Sequence, residues 1–252
     1  MIVNADGSFT FVPGTAYDFL ADGESTAIQF TYVNDEGESA IATINITGTN
    51  DAPVATAGSA SVDEDATVLG QAPASDVDDA IVSYAVVGAS PTGLSFNTTD
   101  GSYSFDASSY DSLADGEIQI VTFDFTATDA FGATSNTETV TITITGTNDV
   151  PVVTATTNSV VEDLTVTGNV PAATDVDTGA TIASYQLTAA APTGLTFNTD
   201  GSYSFDASSY DSLADGEIQI VTFDFTATDA FGATSNTETV TITITGTNDV
   251  PV

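Results

Sequence analysis

The chain has 252 residues, of which 36 are Asp or Glu and none is Lys, Arg or His, for a formal net charge of −36. Nucleic acids and anionic membrane surfaces are held through Lys and Arg, so neither is an expected partner. Cys is missing too, which removes disulfides, thiolate metal sites and, with His and Lys, the common catalytic bases and several activated nucleophiles; the chain reads as a non-enzyme.

Hydrophobic residues make up 41% of the sequence, too many for a disordered acidic tail. The chain must therefore fold around uncompensated negative charge, for which an external cation is the natural remedy. No run approaches the roughly 20 apolar residues of a membrane span, so direct membrane insertion is not expected. The opening MIVNADGSFT lacks the basic region of a signal peptide and suggests an excerpt or processed piece of something longer.

A repeat organises everything that follows. Residues 99–152 are identical to residues 199–252, and ITGTNDAPV at 46–54 returns as ITGTNDVPV at 144–152 and 244–252. Residues 55–152 and 153–252 form two complete copies, whereas residues 1–54 hold only the later half of one. ADGSFTFVPGTAYDFLADGE in that half matches TDGSYSFDASSYDSLADGE at 99–117. A half unit leaves sheet edges and one side of a core bare, so its missing strands are expected from upstream residues or from another molecule.

In the first complete copy, IVSYAVVG (81–88), GLSFN (93–97) and SYSFD (102–106) read as short strands. In IQIVTFDFTAT (118–128), Val121, Phe123, Phe125 and Ala127 alternate with polar residues, while Ile118 and Ile120 fall on the opposite parity, which predicts a bulge or twist near Val121. In TVTITITGT (139–147), Val140, Ile142 and Ile144 alternate with threonines, the pattern of a sheet with one dry and one wet face. Tyr103, Phe105, Phe123 and Phe125 read as core. With turn signals such as TTDGS and TDAFGA between them, about seven short strands per hundred residues predict an all-β chain of tandem immunoglobulin-like sandwiches.

Acidic residues gather in the turns: VDED (62–65), DVDD (76–79), YDSLADGE (110–117), Asp129 and Asn148–Asp149, with VED (161–163), DVD (175–177), YDSLADGE (210–217) and Asp229 in the next copy. Calcium takes 6–8 oxygen ligands, and acidic turns converging at one end of a sandwich suit it.

VDEDATVLG, ASDVDD, FTATDAFGATS and the recurring ITGTNDAPV resemble the tandem cadherin-like repeats of bacterial surface proteins, the VCBS and RTX-adhesin extender class. The resemblance implies cadherin-like Greek-key sandwiches outside the cell, with Ca2+ between successive repeats. Carried onto this chain, the joint between the two complete copies would use Glu64, Asp115, Glu117, Asn148, Asp149, Asp175, Asp177 and Asp229. The preceding joint would use Asp22, Glu24, Asn50, Asp51, Asp76, Asp78 and Asp129. LADGE departs from the acid-Arg-Glu of animal cadherins, which leaves open whether Asp115 or Glu117 faces the metal. The expected partners are the neighbouring repeats, and other copies of the chain if it assembles. Three roles follow: a calcium-stiffened extender of a bacterial adhesin, a filament subunit completed by strands of another chain, or a calcium-dependent glycan binder.

Overall fold

The computed structural model describes residues 1–4 and 6–248; residues 249–252, the end of the third ITGTNDVPV copy, lie outside them. The chain divides into two compact units, one of Met1–Ser109 with Gln119–Ile144 and the other of Tyr110–Ile118 with Thr145–Val252.

The first unit begins with the half copy: β1 (Ile2–Val3), β2 (Phe9–Thr10), β3 (Ser25–Val33) and β4 (Ser39–Thr47). Among the described residues β1 pairs only with β2, and β3 only with β4, antiparallel from Ser25↔Thr47 to Val33↔Ser39. The complete copy follows with β5 (Val54–Ala55), β6 (Gly58–Asp63), β7 (Thr67–Gln71), β8 (Ala74–Ser75), β9 (Ile81–Val87), β10 (Leu94–Phe96), β11 (Ser102–Asp106), β12 (Ile118–Asp129) and β13 (Glu138–Thr145). A four-stranded sheet in the order β6-β13-β12-β9 and a three-stranded sheet in the order β10-β11-β7 make the sandwich, with β5 and β8 forming a small pair of their own.

The second unit repeats this plan with β14 (Thr156–Val161), β15 (Thr165–Asn169), β16 (Ile182–Leu187), β17 (Leu195–Phe197), β18 (Ser202–Asp206), β19 (Ile218–Asp229) and β20 (Glu238–Thr245). Its sheets are β14-β20-β19-β16 and β15-β18-β17, so the chain alternates between layers, and β14 lies parallel to β20.

Period-two alternation explains the core. Val140, Ile142 and Ile144 are fully buried, as are Phe105 and Phe125, while Tyr103 and Phe123 are nearly so and meet edge to face at 5.2 Å. Val221, Phe223, Phe225 and Ala227 join Val240, Ile242 and Ile244 in the second core. At Val221, the counterpart of Val121, no bulge forms: pairing of β19 with β20 runs without a shift from Ile218↔Thr245 to Phe225↔Glu238, and in β12 Ile118 and Ile120 lie on the exposed face with Thr122. In β12 the irregularity sits at Thr128/Asp129, where the strand turns into the TDAFGA loop. Parity alone could not tell an outward isoleucine from a register change.

Candidate metal centre

Each ITGTND segment leaves its strand at a glycine because there is no room for a side chain. A Cβ on Gly48 would lie 2.2 Å from the Leu20 carbonyl oxygen and 2.4 Å from that of Ala21, and one on Gly146 would lie 2.2 Å from the Ala114 oxygen. The same approach makes the bonds that lock the turn: the Gly48 N–H donates to the Glu24 carbonyl, and the Gly23 N–H to the Gly48 carbonyl. The Asn-Asp pair therefore starts from a rigid base.

In the first unit this turn delivers Asn50 and Asp51 to two acidic loops. The Asn50 amide donates to Asp129 Oδ2 at 2.9 Å, and the Asp51 N–H donates to Asp78 Oδ2 at 3.1 Å. Asp129 Oδ1 organises its own loop by accepting from the N–H groups of Phe131 and Ala133. Asp76 Oδ1 does the same for the DVDD turn, accepting from the N–H groups of Asp78 and Asp79. These local bonds use one side of each carboxylate and leave the other turned inward.

What remains turned inward is a set of oxygens without hydrogen-bond donors. Asn50 Oδ1, Asp76 Oδ2 and Asp78 Oδ1 are buried and accept no hydrogen bond, and Asp79, whose two oxygens are also buried, has only a weak approach from the Ala130 N–H. Buried oxygens are ordinarily satisfied, so an unsatisfied group of this size points to a missing positive partner. One oxygen each from Asp76, Asp79 and Asp129 lie within 4.8 Å of one another. Two Ca–O bonds end to end span about 4.6–5.2 Å, so the three can touch one ion. The residues present fit a calcium ion.

The electrostatics agree. Burial pushes the Asp79 carboxyl above its ordinary range, and the charges of Asp76, Asp129 and Asp78 push it further. At Asp78 the Asp51 N–H pulls the value down, but burial together with Asp76 raises it on balance. Asp129 goes the other way: burial raises it, yet the Asn50 amide and the N–H groups of Ala133, Phe131 and Gly132 outweigh burial and hold it below the usual range. Asp129 is thus a fixed anion, against which the DVDD carboxylates crowd.

The second unit builds a related arrangement. The Asn148 amide donates to Asp229 Oδ2 at 2.9 Å, the Asp149 N–H donates to Asp177 Oδ2 at 2.9 Å, and Asp229 Oδ1 accepts from Phe231 and Ala233. Asp175 Oδ2 and Asp177 Oδ1 are buried without a donor. Asp115 and Asp177 line one small cleft with Phe231.

The sequence-expected ligands are thus sorted. Asn50, Asp51, Asp76, Asp78 and Asp129 converge in the first unit, and Asn148, Asp149, Asp175, Asp177 and Asp229 in the second. Asp22 and Glu24 are exposed, with Glu24 Oε2 accepting from its own turn's Ala21 N–H, and Glu117 caps Ala114 in the same way. Glu64 is buried, at 2% exposure. Its counterpart Glu162 is also buried, and clasps Thr247 and Leu213 within the second unit.

Two contributors escaped the sequence reading. Asp79 was visible as the last letter of DVDD, but nothing in the string says that it faces Asp76 and Asp129. Asn136 receives the Ala55 N–H and donates to the Ala55 carbonyl, pinning the chain just beyond the Asn-Asp-x-Pro turn; Asn236 holds Val153 identically. Only the folded sheet brings residues 81 and 83 positions apart into register.

Two seven-stranded sandwiches in tandem, with acidic turns gathered at an Asn-Asp turn, define a cadherin-type module. The chain belongs to the bacterial cadherin-like domain family, whose sequence profile matches residues 50–146 and again 148–246. Among solved structures it is similar to protocadherin gamma C5 EC1-3, at 13% identity and a TM-score of 0.51, over 86% of this chain and 76% of that one. Human protocadherin-24 EC1-2 (form II) matches at 19% identity and a TM-score of 0.50, over 80% of this chain and 100% of that one. The extracellular cadherin domains 1–5 of protocadherin gamma B2 match at 16% identity and a TM-score of 0.45, over 90% of this chain; the chain spans 47% of that structure. A comparison with curated protein sequences finds no match.

Proposed function

We propose that this chain is a calcium-stiffened spacer segment of a bacterial extracellular adhesin or surface protein, of the VCBS and RTX-adhesin extender kind. The observation that carries the reading is the convergence of Asp76, Asp79 and Asp129 oxygens, with unsatisfied oxygens of Asn50 and Asp78 beside them, in a chain with no side-chain cation. Asn50, Asp51, Asp76, Asp78, Asp79 and Asp129 would hold one or more ions at the first joint, and Asn148, Asp149, Asp175, Asp177 and Asp229 at the second. Bound calcium supplies charge neutralisation and a tie between turns. The chain's own contribution is to bring the Asn-Asp turn, the DVD loop and the TDAFGA loop together, so that an ion held there restrains the link between neighbouring repeats.

Near-identical copies suit a spacer, because length rather than a unique surface is what repetition provides. No helix among the described residues is long and apolar enough to cross a membrane, and cadherin-like modules serve adhesion and structure rather than catalysis. Neighbouring repeats are the expected partners.

The test is small-angle X-ray scattering of the chain in about 10 mM calcium and then in excess chelator. A monomer whose maximum dimension is fixed with calcium and variable without it supports the spacer. Indifference to calcium removes the reading.

A second reading, a filament subunit completed by strands from another chain, draws on the first 54 residues. Among the described residues β3 and β4 pair only with each other, and Phe9, Tyr32, Val33 and Ile41 are exposed. A sheet pair with bare edges accepts an added strand. Large assemblies from the purified chain, at a mass that grows with concentration, would favour it; a concentration-independent monomer excludes it.

A further inference from the structure

We infer that the loop at 175–181 carries a latch that works without an ion: Thr178 grips the Ser112 carbonyl through both its N–H and its hydroxyl, and so ties residues 110–118 of the first complete copy to the second. The inference is independent of the calcium reading. The residues that the resemblance implies for this joint are acids and one Asn, and include neither Thr178 nor Ser112.

The segment Tyr110–Ile118 belongs by sequence to the first complete copy, yet it lies in the second compact unit. Its own turns set the backbone around the gripped oxygen. The N–H groups of Ser112 and Leu113 both donate to the Tyr110 carbonyl, and the Glu117 N–H donates to the Ala114 carbonyl. None of these bonds uses the Ser112 carbonyl. To that oxygen the Thr178 hydroxyl donates at 2.6 Å and the Thr178 N–H at 3.0 Å. A carbonyl oxygen has two lone pairs, so one residue supplies a donor for each. Beside this fork, Ala114 and Asp115 share a small cleft with Gly179, Ala180, Thr181 and Phe231.

The loop that presents Thr178 differs from its counterpart in length and in chemistry. DVDTGATI at 175–182 is two residues longer than DVDDAI at 76–81, and its extra length includes Gly179 at φ +76°, a left-handed conformation that glycine adopts without strain. The Ala180 N–H closes the turn on the Asp177 carbonyl at 3.2 Å, and the Ala230 N–H ties it to the TDAFGA loop by donating to the Thr181 carbonyl at 3.0 Å. These are backbone bonds and need no ion. In DVDDAI the place of Thr178 is taken by Asp79, and DFLADGE at 18–24 has Phe19 where DSLADGE at 111–117 has Ser112. An ionised carboxylate only accepts hydrogen bonds, so the hydroxyl arm of the fork belongs to the second joint alone. When ions are withdrawn, residues 110–118 stay seated on the 175–181 loop.

Amide hydrogen exchange of the full chain in excess chelator, followed by NMR, tests this with the variants T178V and T178S. Valine keeps the shape and the N–H but loses the hydroxyl, whereas serine keeps both donors. The expected result is a protected residue-178 amide in the native chain, exchange about 2- to 10-fold faster in T178V after correction for the intrinsic rate, as for the loss of one hydrogen bond, and a return to the native rate in T178S. Spin labels at L69C and I220C, both exposed positions in a chain without other cysteines, read the joint itself: their distance distribution in chelator broadens in T178V and narrows again in T178S. An unprotected amide in the native chain, or exchange and distances unchanged in T178V, overturns the latch. So does T178S behaving like T178V, since the hydroxyl would then not be the group that holds. All of these readings are taken in chelator, so the latch can fail while the calcium reading stands.

Discussion

The hairpin β3-β4 and the hairpin β19-β20 are built on the same principle, apolar residues at every second position and threonines between, yet they end in different environments. In β19-β20, Phe225, Val240, Ile242 and Ile244 are completely buried, because β14 and β16 flank the pair and β15, β18 and β17 lie across it. In β3-β4, Tyr32, Val33 and Ile41 are half or more exposed, and Phe30 meets Phe9 edge to face at 5.3 Å and Tyr32 at 6.5 Å. Alternation makes a strand pair; a second sheet makes a core.

Substitution separates these contributions. Phe225→Ala is expected to destabilise the second unit by about 3–5 kcal/mol, and Phe30→Ala to cost about 1–2 kcal/mol, since a partly buried ring beside an open sheet edge leaves no closed cavity. Denaturant unfolding of the two variants checks the pair of values. Equal losses would mean that β3-β4 is covered in solution, which bears directly on strand completion.

Calcium is the next largest lever. At a calcium concentration about a hundredfold above a site's dissociation constant, each site adds about 2.7 kcal/mol of stability. Chelation should therefore lower the melting temperature of the chain, and raising calcium should restore it. Because the proposed ion would be held between acidic turns, the shift should persist in high concentrations of a monovalent salt, which screens exposed charge but does not fill the site.

Gly246→Ala and Gly48→Ala test a feature that the two hairpins share. The added Cβ would meet the Ala214 carbonyl oxygen at 2.3 Å in one and the Leu20 oxygen at 2.2 Å in the other, and about 1–3 kcal/mol is expected for each. Comparable losses would show that the turn is locally built whether or not a second sheet is present; a loss in Gly246→Ala alone would tie it to the sandwich.

The smallest effect lies in the short 3-10 turns that precede the hairpins. Asp206 caps the turn at Ala207–Tyr210 by accepting the Ser208 N–H at 3.0 Å, whereas Pro13 stands at the corresponding place before Gly14–Tyr17 and caps nothing. The Ser208 backbone N–H, followed by its side chain, holds the Asp206 carboxyl below its ordinary value. A folded value below the unfolded one means that the stabilisation is present above about pH 3.9 and is lost as pH falls through the lower folded value. An NMR titration of the Asp206 carboxyl carbon should show this depressed midpoint, and Asp206→Asn should remove the corresponding pH dependence while leaving the half copy unchanged.

The sequence by itself determined the all-β class, the strand positions, the repeat and most of the candidate ligands, because these depend on short-range regularities. Side chains alternate across a strand with period two, turns demand Gly, Asp and Asn, and an Asn-Asp pair recurring after the same strand marks the same place in each unit. Only the tertiary structure decided which oxygens face one another. Asp79 and Asp129 are fifty positions apart, and it is the pairing of β9 with β12, register-shifted at Asp129, that places their loops together. The same holds for Asn136, which reaches Ala55 across the fold, and for Ile120, which lies on the exposed face of its strand. Local pattern fixes the direction of a side chain relative to its strand. Long-range packing fixes what lies in that direction, and a metal site depends on the second.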